Sequence, residues 1–304
     1  MKGFHREFVK VVDELLAPGS CILEAGCGAG WQSLALARLK KYRISLMDFS
    51  QEALKYAKTI FECENLEAEF ILEDAFEPGE AKYDLVFNAG VLEHYTFDKQ
   101  VAFLKGMASR SRKYVMVLVP NRLCHLCWFW RIQKSAEGDW PFGKEVPLTD
   151  LSAVFNAAGL HFLGQMFMGE SWTEEFISGL AGLDDRLRRH ILEIHRSPLI
   201  PRSQRSYLVA ALGSVSVEKL EIPAGWEDVP QPVEEKISEV YAALADALAL
   251  KISADQQLRT LSVQLVQLHA EQKQLRRRLE WRRYHIVDKM VAMFWYAWHP
   301  NSVN

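Results

Sequence analysis

Three glycines spaced two residues apart follow a short apolar stretch near the start of this chain, and this segment constrains the fold more than any other. The apolar stretch is Cys21 to Ala25, the glycine segment runs from Gly26 to Gly30, and the amphipathic stretch WQSLALARLKKY comes next. A strand, a glycine loop and a helix in this order predict one unit of an α/β sheet. Glycines let the loop turn sharply and let its backbone approach a ligand that a Cβ atom would exclude. We therefore expect a ligand-binding turn here.

Strand and helix patterns alternate through the first two thirds of the chain. Apolar runs predict strands at 44–48, 68–74, 83–90, 113–120, 161–169 and 206–215, and helical spacing predicts helices at 51–62, 97–111, 148–160 and 172–195. This alternation is typical of an open sheet covered by helices. We predict an α/β fold with a Rossmann-like, mostly parallel sheet, helices on both faces and a C-terminal coiled-coil helix.

Composition limits the class of protein and its surroundings. The chain has 304 residues, of which 49% are hydrophobic and 25% charged, which suits one large domain with an appendage. A net charge of −3 gives no basic field for nucleic acid, so we expect no nucleic-acid partner. The five cysteines are an odd number, and charges interrupt the first residues where a signal peptide would be apolar. We expect a cytoplasmic protein with reduced thiols and no membrane-spanning helix, at most peripheral on the inner face of the cell membrane.

The glycine segment and three later motifs resemble one family. Residues 24–30, EAGCGAG, fit the first motif of class I S-adenosylmethionine-dependent methyltransferases, E/D-x-G-x-G-x-G, and the chain is methyltransferase type 11-like. A dinucleotide fingerprint would instead need Gly or Ala where Trp31 stands. The resemblance extends to Asp48 after the second strand, to Asp74 within ILEDA, and to residues 84–94, DLVFNAGVLEH. It implies S-adenosylmethionine as cofactor and S-adenosylhomocysteine as product.

The resemblance also implies the residues that bind this cofactor. They are Glu24, Gly26, Cys27, Gly28, Gly30, Asp48, Phe49, Asp74, Ala75, Asn88 and Ala89. Asp48 would accept hydrogen bonds from the ribose hydroxyls, Asp74 would meet the adenine amino group, and Glu24 would lie near the methionine moiety. The alternative for Asp48 is a structural role, because Asp48 or Ser50 could cap the helix that follows.

Two residues of the segment that leaves the fourth strand are candidates for acid–base work. Family members line the methyl donor and the acceptor with this loop, which here carries Glu93 and His94. An imidazole has a pKa of about 6.5 and can take a proton from a hydroxyl. The resemblance therefore implies Glu93 and His94 as the catalytic residues.

Residues 121–147 interrupt the alternation and predict a lid or insertion rich in aromatic side chains. Trp128, Phe129, Trp130, Trp140 and Phe142 would suit a sugar, a lipid or a planar acceptor. They would equally suit packing of the lid on the domain, or contact with a membrane. Cys124 and Cys127 have the spacing of a zinc-binding pair, but a second pair is missing. We therefore expect two buried, reduced thiols and no metal.

In the C-terminal part of the chain, the spacing of apolar residues changes to steps of three and four, which is the heptad pattern. We predict a methyltransferase domain at 1–217, a proline-containing linker at 218–232, a coiled coil at 233–283 and an amphipathic tail at 284–304. The coil has a nearly continuous heptad seam, so we expect self-association as a dimer or a trimer. Within 273–289, seven basic and two acidic residues precede Trp295 and Trp298. This pattern favours contact with a membrane or a membrane-bound partner, and the alternative is packing on another subunit.

Similar methyltransferases with a long coil and a basic, aromatic tail occur among enzymes of bacterial surface-polysaccharide assembly. This resemblance implies O-methylation of a sugar on a surface glycan or a lipid-linked precursor. Two alternatives remain open, namely a small-molecule or quinone methyltransferase and a catalytically weak scaffold that acts through its coil.

Overall fold

The computed structural model describes residues 3–140, 142–146, 148–216, 225–226, 250, 253–254 and 256–275. Helices and strands alternate along it. In chain order they are α1 Gly3–Leu15, β1 Cys21–Ala25, α2 Trp31–Ala37, β2 Arg43–Asp48, α3 Gln51–Cys63, β3 Glu69–Leu72, β4 Tyr83–Ala89, a 3-10 helix Leu92–His94, α4 Phe97–Arg110, β5 Ser111–Pro120, α5 His125–Glu137, α6 Ser152–Ala157, β6 His161–Met168, α7 Glu170–Gly179, α8 Asp185–His195, α9 Arg202–Arg205 and β7 Leu208–Ser214.

The strands form one seven-stranded sheet in the order β3-β2-β1-β4-β5-β7-β6. Neighbouring strands from β3 to β5 are parallel, and β7 lies antiparallel to both β5 and β6. The mostly parallel, Rossmann-like prediction is therefore confirmed. The strand order reverses between the adjacent strands β1 and β4, and open α/β sheets bind ligands at the carboxyl ends of strands at such a point.

Alternate residues of each strand supply the two faces of the sheet. Ile22 of β1 and Leu46 of β2 pack against α1, α2 and α3 on one face. Leu23 and Met47, one position later, pack against α4 and α6 on the other. Because successive side chains of a strand point to opposite faces, both faces of these strands are apolar and both are covered. Helices on both faces were predicted, and the structure confirms them.

Residues 121–147 contain one long helix that is packed into the domain. On α5 the buried side chains include Cys127, Trp128 and Arg131. Trp226, within the predicted linker, also lies in the apolar core and is 2% exposed. The predicted domain boundaries remain predictions.

The C-terminal unit is described only in part. Residues 256–275 are helical, and the leucines of the predicted seam are more than half exposed in the single chain, for example Leu261 at 58% and Leu265 at 57%. The predicted tail at 284–304, and all of the predicted linker except 225–226, lie outside the described residues. Among the residues that are described, no helix is long and apolar enough to cross a membrane.

Candidate functional site

The glycine loop is held against the end of β2 by its own backbone. The N–H groups of Gly26 and Cys27 both donate to the carbonyl oxygen of Met47, at 2.8 and 3.0 Å. Gly30 has a φ of +69°, and a Cβ added there would lie 2.3 Å from the Leu46 side chain. Gly28 has a φ of +51°, and nothing lies within 4 Å of where its Cβ would be. The loop is therefore packed on one side and leaves open space for a ligand on the other.

Asp48 ties this loop to the next helix. Its Oδ2 accepts from the N–H of Gly28 and its Oδ1 from the N–H of Ser50, both at 2.9 Å. The cap of α3 is Ser50, whose hydroxyl accepts from the N–H of Ala53 at 3.2 Å. The capping role considered for Asp48 thus belongs to Ser50. A carboxylate has about four acceptor sites, so Asp48 can still accept from ligand hydroxyls.

Three of the predicted cofactor residues lie behind the cleft rather than in its wall. Glu24 is buried, and its Oε2 accepts from the N–H of Ser33 at 3.1 Å. Burial raises the pKa of Glu24 to about 7, and the Asp48 charge adds to this, while the bonds from Ser33 oppose it. Asn88 donates from Nδ2 to the carbonyl oxygen of Ala25 at 2.8 Å. With Gly30, these residues support the cleft from behind.

The remaining eight predicted cofactor residues share a cleft of about 290 Å³ at the switch point of the sheet. They are Gly26, Cys27, Gly28, Asp48, Phe49, Asp74, Ala75 and Ala89. Sequence reasoning missed the rest of the lining, namely Glu73, Phe76, Gly90, Val91, Tyr95 and Phe103. Phe76 and Tyr95 lie within two positions of Asp74 and His94, which is the one sequence signal that could have indicated them, whereas Phe103 on α4 has no such signal.

The aromatic lining forms one wall of the cleft. The ring of Phe76 meets those of Tyr95 and Phe103 edge-on, with centroid distances of 5.1 and 5.4 Å. Asp74 is exposed beside them, and its Oδ1 accepts from the N–H of Phe76 at 3.0 Å. Phe49 is 73% exposed at the rim. An exposed ring and an edge-packed aromatic wall suit a flat heterocycle.

A second cleft, of about 510 Å³, is larger than the first but is less suited to a flat heterocycle. Its lining includes Leu23 and Met47 from the interior of strands and a row of carboxylates, Glu69, Glu73, Glu77 and Glu80. It lies along a face of the sheet near residues 73–82, which form no helix. The smaller cleft is the better candidate, because it lies at the carboxyl ends of β1 and β4.

The loop after β4 brings a buried carboxyl group up to the wall of the cleft. Gly90 has a φ of +79°, and a Cβ added there would lie 3.6 Å from Oε1 of Glu93. Glu93 is 2% exposed. Burial, together with the Glu145 charge, raises the pKa of Glu93 to about 8, although Arg131 opposes this shift. His94 is exposed, and its Nδ1 lies 3.0 Å from the carbonyl oxygen of Lys144.

Glu145 is a site residue that sequence reasoning did not identify. One oxygen of its buried carboxylate lies 3.5 Å from the guanidinium of Arg131. The same guanidinium lies 5.0 Å from the ring centroid of Trp128 and 5.2 Å from that of Trp140. Glu145 offers a carboxylate oxygen within 4.8 Å of ligating atoms of Glu93 and His94. No local pattern marks Glu145, because 51 residues separate it from His94.

Among the aromatic residues of 121–147, some side chains are buried in the domain and others are exposed. Trp128 is buried, and its Nε1 donates to the carbonyl oxygen of Arg122 at 2.7 Å. Trp130 stacks on Phe176 of α7 at 4.4 Å, and with Trp140 it lines a small pocket beside Arg131 and Glu145. Phe129 and Phe142 are 45% and 55% exposed. Trp128 is therefore packed into the domain, and it borders the same small pocket as Trp130 and Trp140.

The paired thiols of this segment are buried. The Sγ atoms of Cys124 and Cys127 lie 2.8 Å apart, and both are free thiols. The hydroxyl of Thr173 lies 3.5 Å from one and 3.6 Å from the other.

Comparison with known proteins gives one family match. Residues 22–113 match a family model described as a methyltransferase domain. These residues contain the glycine loop, Asp48, Asp74 and the loop after β4. No curated protein matches the chain.

Several solved structures are similar. Magnesium protoporphyrin IX methyltransferase from Synechocystis PCC 6803, with bound SAM, is 14% identical, with 69% of this chain and 77% of that chain covered and a TM-score of 0.43. A putative methyltransferase from Bacillus halodurans C-125 is 13% identical, with 69% and 95% covered and a TM-score of 0.42. A SAM-dependent methyltransferase from Aquifex aeolicus is 12% identical, with 69% and 90% covered and a TM-score of 0.42.

The family match and the sheet agree with each other, because the matched residues supply the strands on both sides of the switch point. Residues 22–113 are therefore similar in sequence to a methyltransferase domain, and the strand order around the switch point is consistent with that similarity.

Proposed function

We propose that this domain binds S-adenosylmethionine in the 290 Å³ cleft and methylates a hydroxyl oxygen of a sugar, on a bacterial surface glycan or its lipid-linked precursor. The observation that carries the proposal is the cleft itself, where the open side of the glycine loop, the Asp48 carboxylate and the aromatic wall meet at the switch point. The bound cofactor supplies a methyl group that its sulfonium has already activated.

The residues of the cleft have separate parts in binding. The backbone at Gly28 leaves room for the ligand, and Asp48 would accept from its ribose hydroxyls with the lone pairs that Gly28 and Ser50 leave free. Phe76, Tyr95 and exposed Phe49 would pack on the adenine ring. Asp74 would accept from its amino group.

The acceptor would enter from the side of the loop after β4. Gly90 and Val91 line the cleft there, and Glu93 lies directly behind Gly90. Methyl transfer needs mainly an in-line approach of the acceptor oxygen and exclusion of water, which the buried loop favours. Glu93 and His94 are our candidates for taking the hydroxyl proton.

A sugar is the proposed acceptor because aromatic and charged groups meet at a small neighbouring pocket of about 20 Å³, which has room for one hydroxyl-sized group and not for a whole sugar ring. Trp130 and Trp140 border it together with Arg131 and Glu145. Indole rings can cover the apolar face of a sugar, while charged groups hydrogen-bond to its hydroxyls. The alternatives are a small-molecule or quinone acceptor, which would leave the predicted coil without a role, and a scaffold that binds no cofactor.

Replacement of Asp48 tests the cofactor site. The Asp48→Asn variant keeps the size of the side chain but removes one acceptor oxygen and the charge. Hydrogen bonds to a charged group contribute about 1.5–3 kcal/mol, so S-adenosylmethionine should bind roughly tenfold more weakly or worse. Isothermal titration calorimetry of the full chain measures this change.

The matched control for this experiment is Glu52→Gln, which removes an exposed carboxylate from the first turn of α3. It should bind the cofactor with the affinity of the original chain. Equal affinity of the Asp48→Asn variant would exclude the ribose role of Asp48. If the unsubstituted chain binds no S-adenosylmethionine, the scaffold alternative holds instead.

A further inference from the structure

Two carboxylates and one imidazole converge beside the cleft. Glu93, His94 and Glu145 each offer one ligating atom, and these atoms lie within 4.8 Å of one another. Glu93 and His94 belong to the 3-10 helix after β4, and Glu145 comes from the loop after α5. Carboxylate oxygens and an imidazole nitrogen are donor types that divalent transition metals bind.

Glu93 is the one of these three residues that has a buried side-chain atom without a hydrogen-bond partner among the described residues. It is 2% exposed, and its Oε2 has no hydrogen-bond partner among the described residues. A buried carboxylate oxygen without a donor is costly, because it has lost water and gained nothing in exchange. A cation at this position would supply the missing interaction.

The hydrogen bonds of His94 leave a ring nitrogen available for a metal. Its Nδ1 lies 3.0 Å from the carbonyl oxygen of Lys144, and a carbonyl can only accept, so Nδ1 carries the proton. In the neutral ring, Nε2 then has a free lone pair. Metal-binding histidines commonly donate their other N–H to a carbonyl or carboxylate in this manner.

The loop that carries Glu145 is fixed opposite these residues by its backbone. Lys144 accepts from His94, and the N–H of Val146 donates to the carbonyl oxygen of Glu93 at 2.8 Å. These two bonds flank Glu145 on both sides in sequence. The backbone bonds of residues 144 and 146 therefore hold Glu145 next to Glu93 and His94.

Charge at this point is only partly compensated once both carboxylates are ionised. When ionised, Glu93 and Glu145 carry two negative charges, and the guanidinium of Arg131, 3.5 Å from Glu145, compensates one of them. We propose that Glu93, His94 and Glu145 form a binding site for a divalent first-row transition metal, such as Mn²⁺ or Zn²⁺. Three protein ligands would leave further coordination positions for water or for an oxygen of the acceptor.

The site would change the part that Glu93 and His94 play in the proposed reaction. A bound divalent cation would lower the pKa of an acceptor hydroxyl that coordinates it, and the hydroxyl proton would then leave to solvent water rather than to Glu93 or His94, which would hold the ion. Binding of the cation itself requires neither a sugar acceptor nor bound S-adenosylmethionine. Failure of this inference is therefore distinguishable from failure of the proposed function.

Titration of the metal-free full chain with Mn²⁺ tests the inference. The electron paramagnetic resonance signal of free aqueous Mn²⁺ falls as the ion binds, and we expect one tightly bound ion per chain. Mn²⁺ is the better probe than Zn²⁺, because the thiols of Cys124 and Cys127 attract the softer ion. In the His94→Gln variant the affinity should fall at least tenfold, as it does when a ligand is removed.

His190→Gln is the matched control, since it removes another exposed histidine, on α8. It should leave Mn²⁺ binding unchanged. Glu145→Gln should abolish binding, with folding checked by circular dichroism because Arg131 loses its carboxylate. Absence of stoichiometric binding to the original chain, or equal binding by the folded His94→Gln variant, would overturn the proposal.

Discussion

Glu24 stands at the end of β1 with its carboxylate buried against the N–H of Ser33. Its pKa is raised from 4.5 to about 7, because burial penalises the charged form. Between these two values the folded chain binds more protons at this group than the unfolded chain does. The free energy of unfolding therefore decreases as the pH rises through this window.

The Glu24→Gln variant should lose this pH dependence. Glutamine can still accept from the N–H of Ser33 but does not ionise, so the variant should gain stability relative to the original chain as the pH rises. Urea unfolding without ligand at about pH 5 and about pH 8 measures the difference. Glu67→Gln, at an exposed position, is the control and should keep the original slope. An unchanged slope in Glu24→Gln would mean that Glu24 titrates as an exposed acid does.

At the scale of elements, helix α5 lies in the segment predicted as a lid, and one side of this helix is buried in the domain. From the sequence, its aromatic side chains could either contact a ligand or pack on the rest of the domain. In the structure Trp128 is 3% exposed, while its neighbour Phe129 is 45% exposed. These two adjacent aromatic residues point in different directions because successive positions of a helix are about 100° apart.

This pair gives a direct test of how α5 is packed. Trp128→Ala removes a buried indole and its hydrogen bond to Arg122, and should lower the free energy of unfolding by about 3–5 kcal/mol. Phe129→Ala should cost clearly less. Chemical denaturation of both variants measures the difference. Similar, small losses would mean that α5 is not held against the domain.

The elements themselves follow closely from local pattern. The predicted strand at Cys21–Ala25 has the observed bounds, and predicted helix 51–62 corresponds to α3 at Gln51–Cys63. The predicted helical region 172–195 is two helices, α7 and α8, separated near Gly182. Apolar periodicity persists across this break, so it could not reveal where the helix stops.

At the scale of the whole molecule, the predicted coil leads us to expect that two or three copies of the chain associate. Leu261 and Leu265 occupy seam positions, and Val263 lies between them on the outer side of the heptad. In the single chain all three are exposed to nearly the same extent, 57% to 58%. Their exposure alone therefore cannot separate a coiled-coil seam from a solvated face.

Native mass spectrometry of the full chain distinguishes a coiled-coil seam from a solvated helix face, because it measures how many subunits associate. We expect a dimer or a trimer in which each subunit gains one S-adenosylmethionine when the cofactor is added. Charges in the seam oppose association, so Leu261→Lys combined with Leu265→Lys should give monomers, while the control Val263→Lys should keep the original oligomer. A monomeric original chain, or an oligomer that survives the double substitution, would exclude the predicted seam.

The sequence by itself determined the order of elements, the parallel core of the sheet and eight of the residues that line the 290 Å³ cleft. These depend on local features, namely the period of apolar residues and the glycines after β1. Placement of β7 between β5 and β6 depends on pairing between distant segments. The meeting of Glu145 with Glu93, and of Phe76 with Tyr95 and Phe103, was likewise decided only by the tertiary structure. The physical reason is that contacts between distant residues leave no periodic pattern in the sequence. Their burial, charge interactions and hydrogen bonds arise only when the chain has folded.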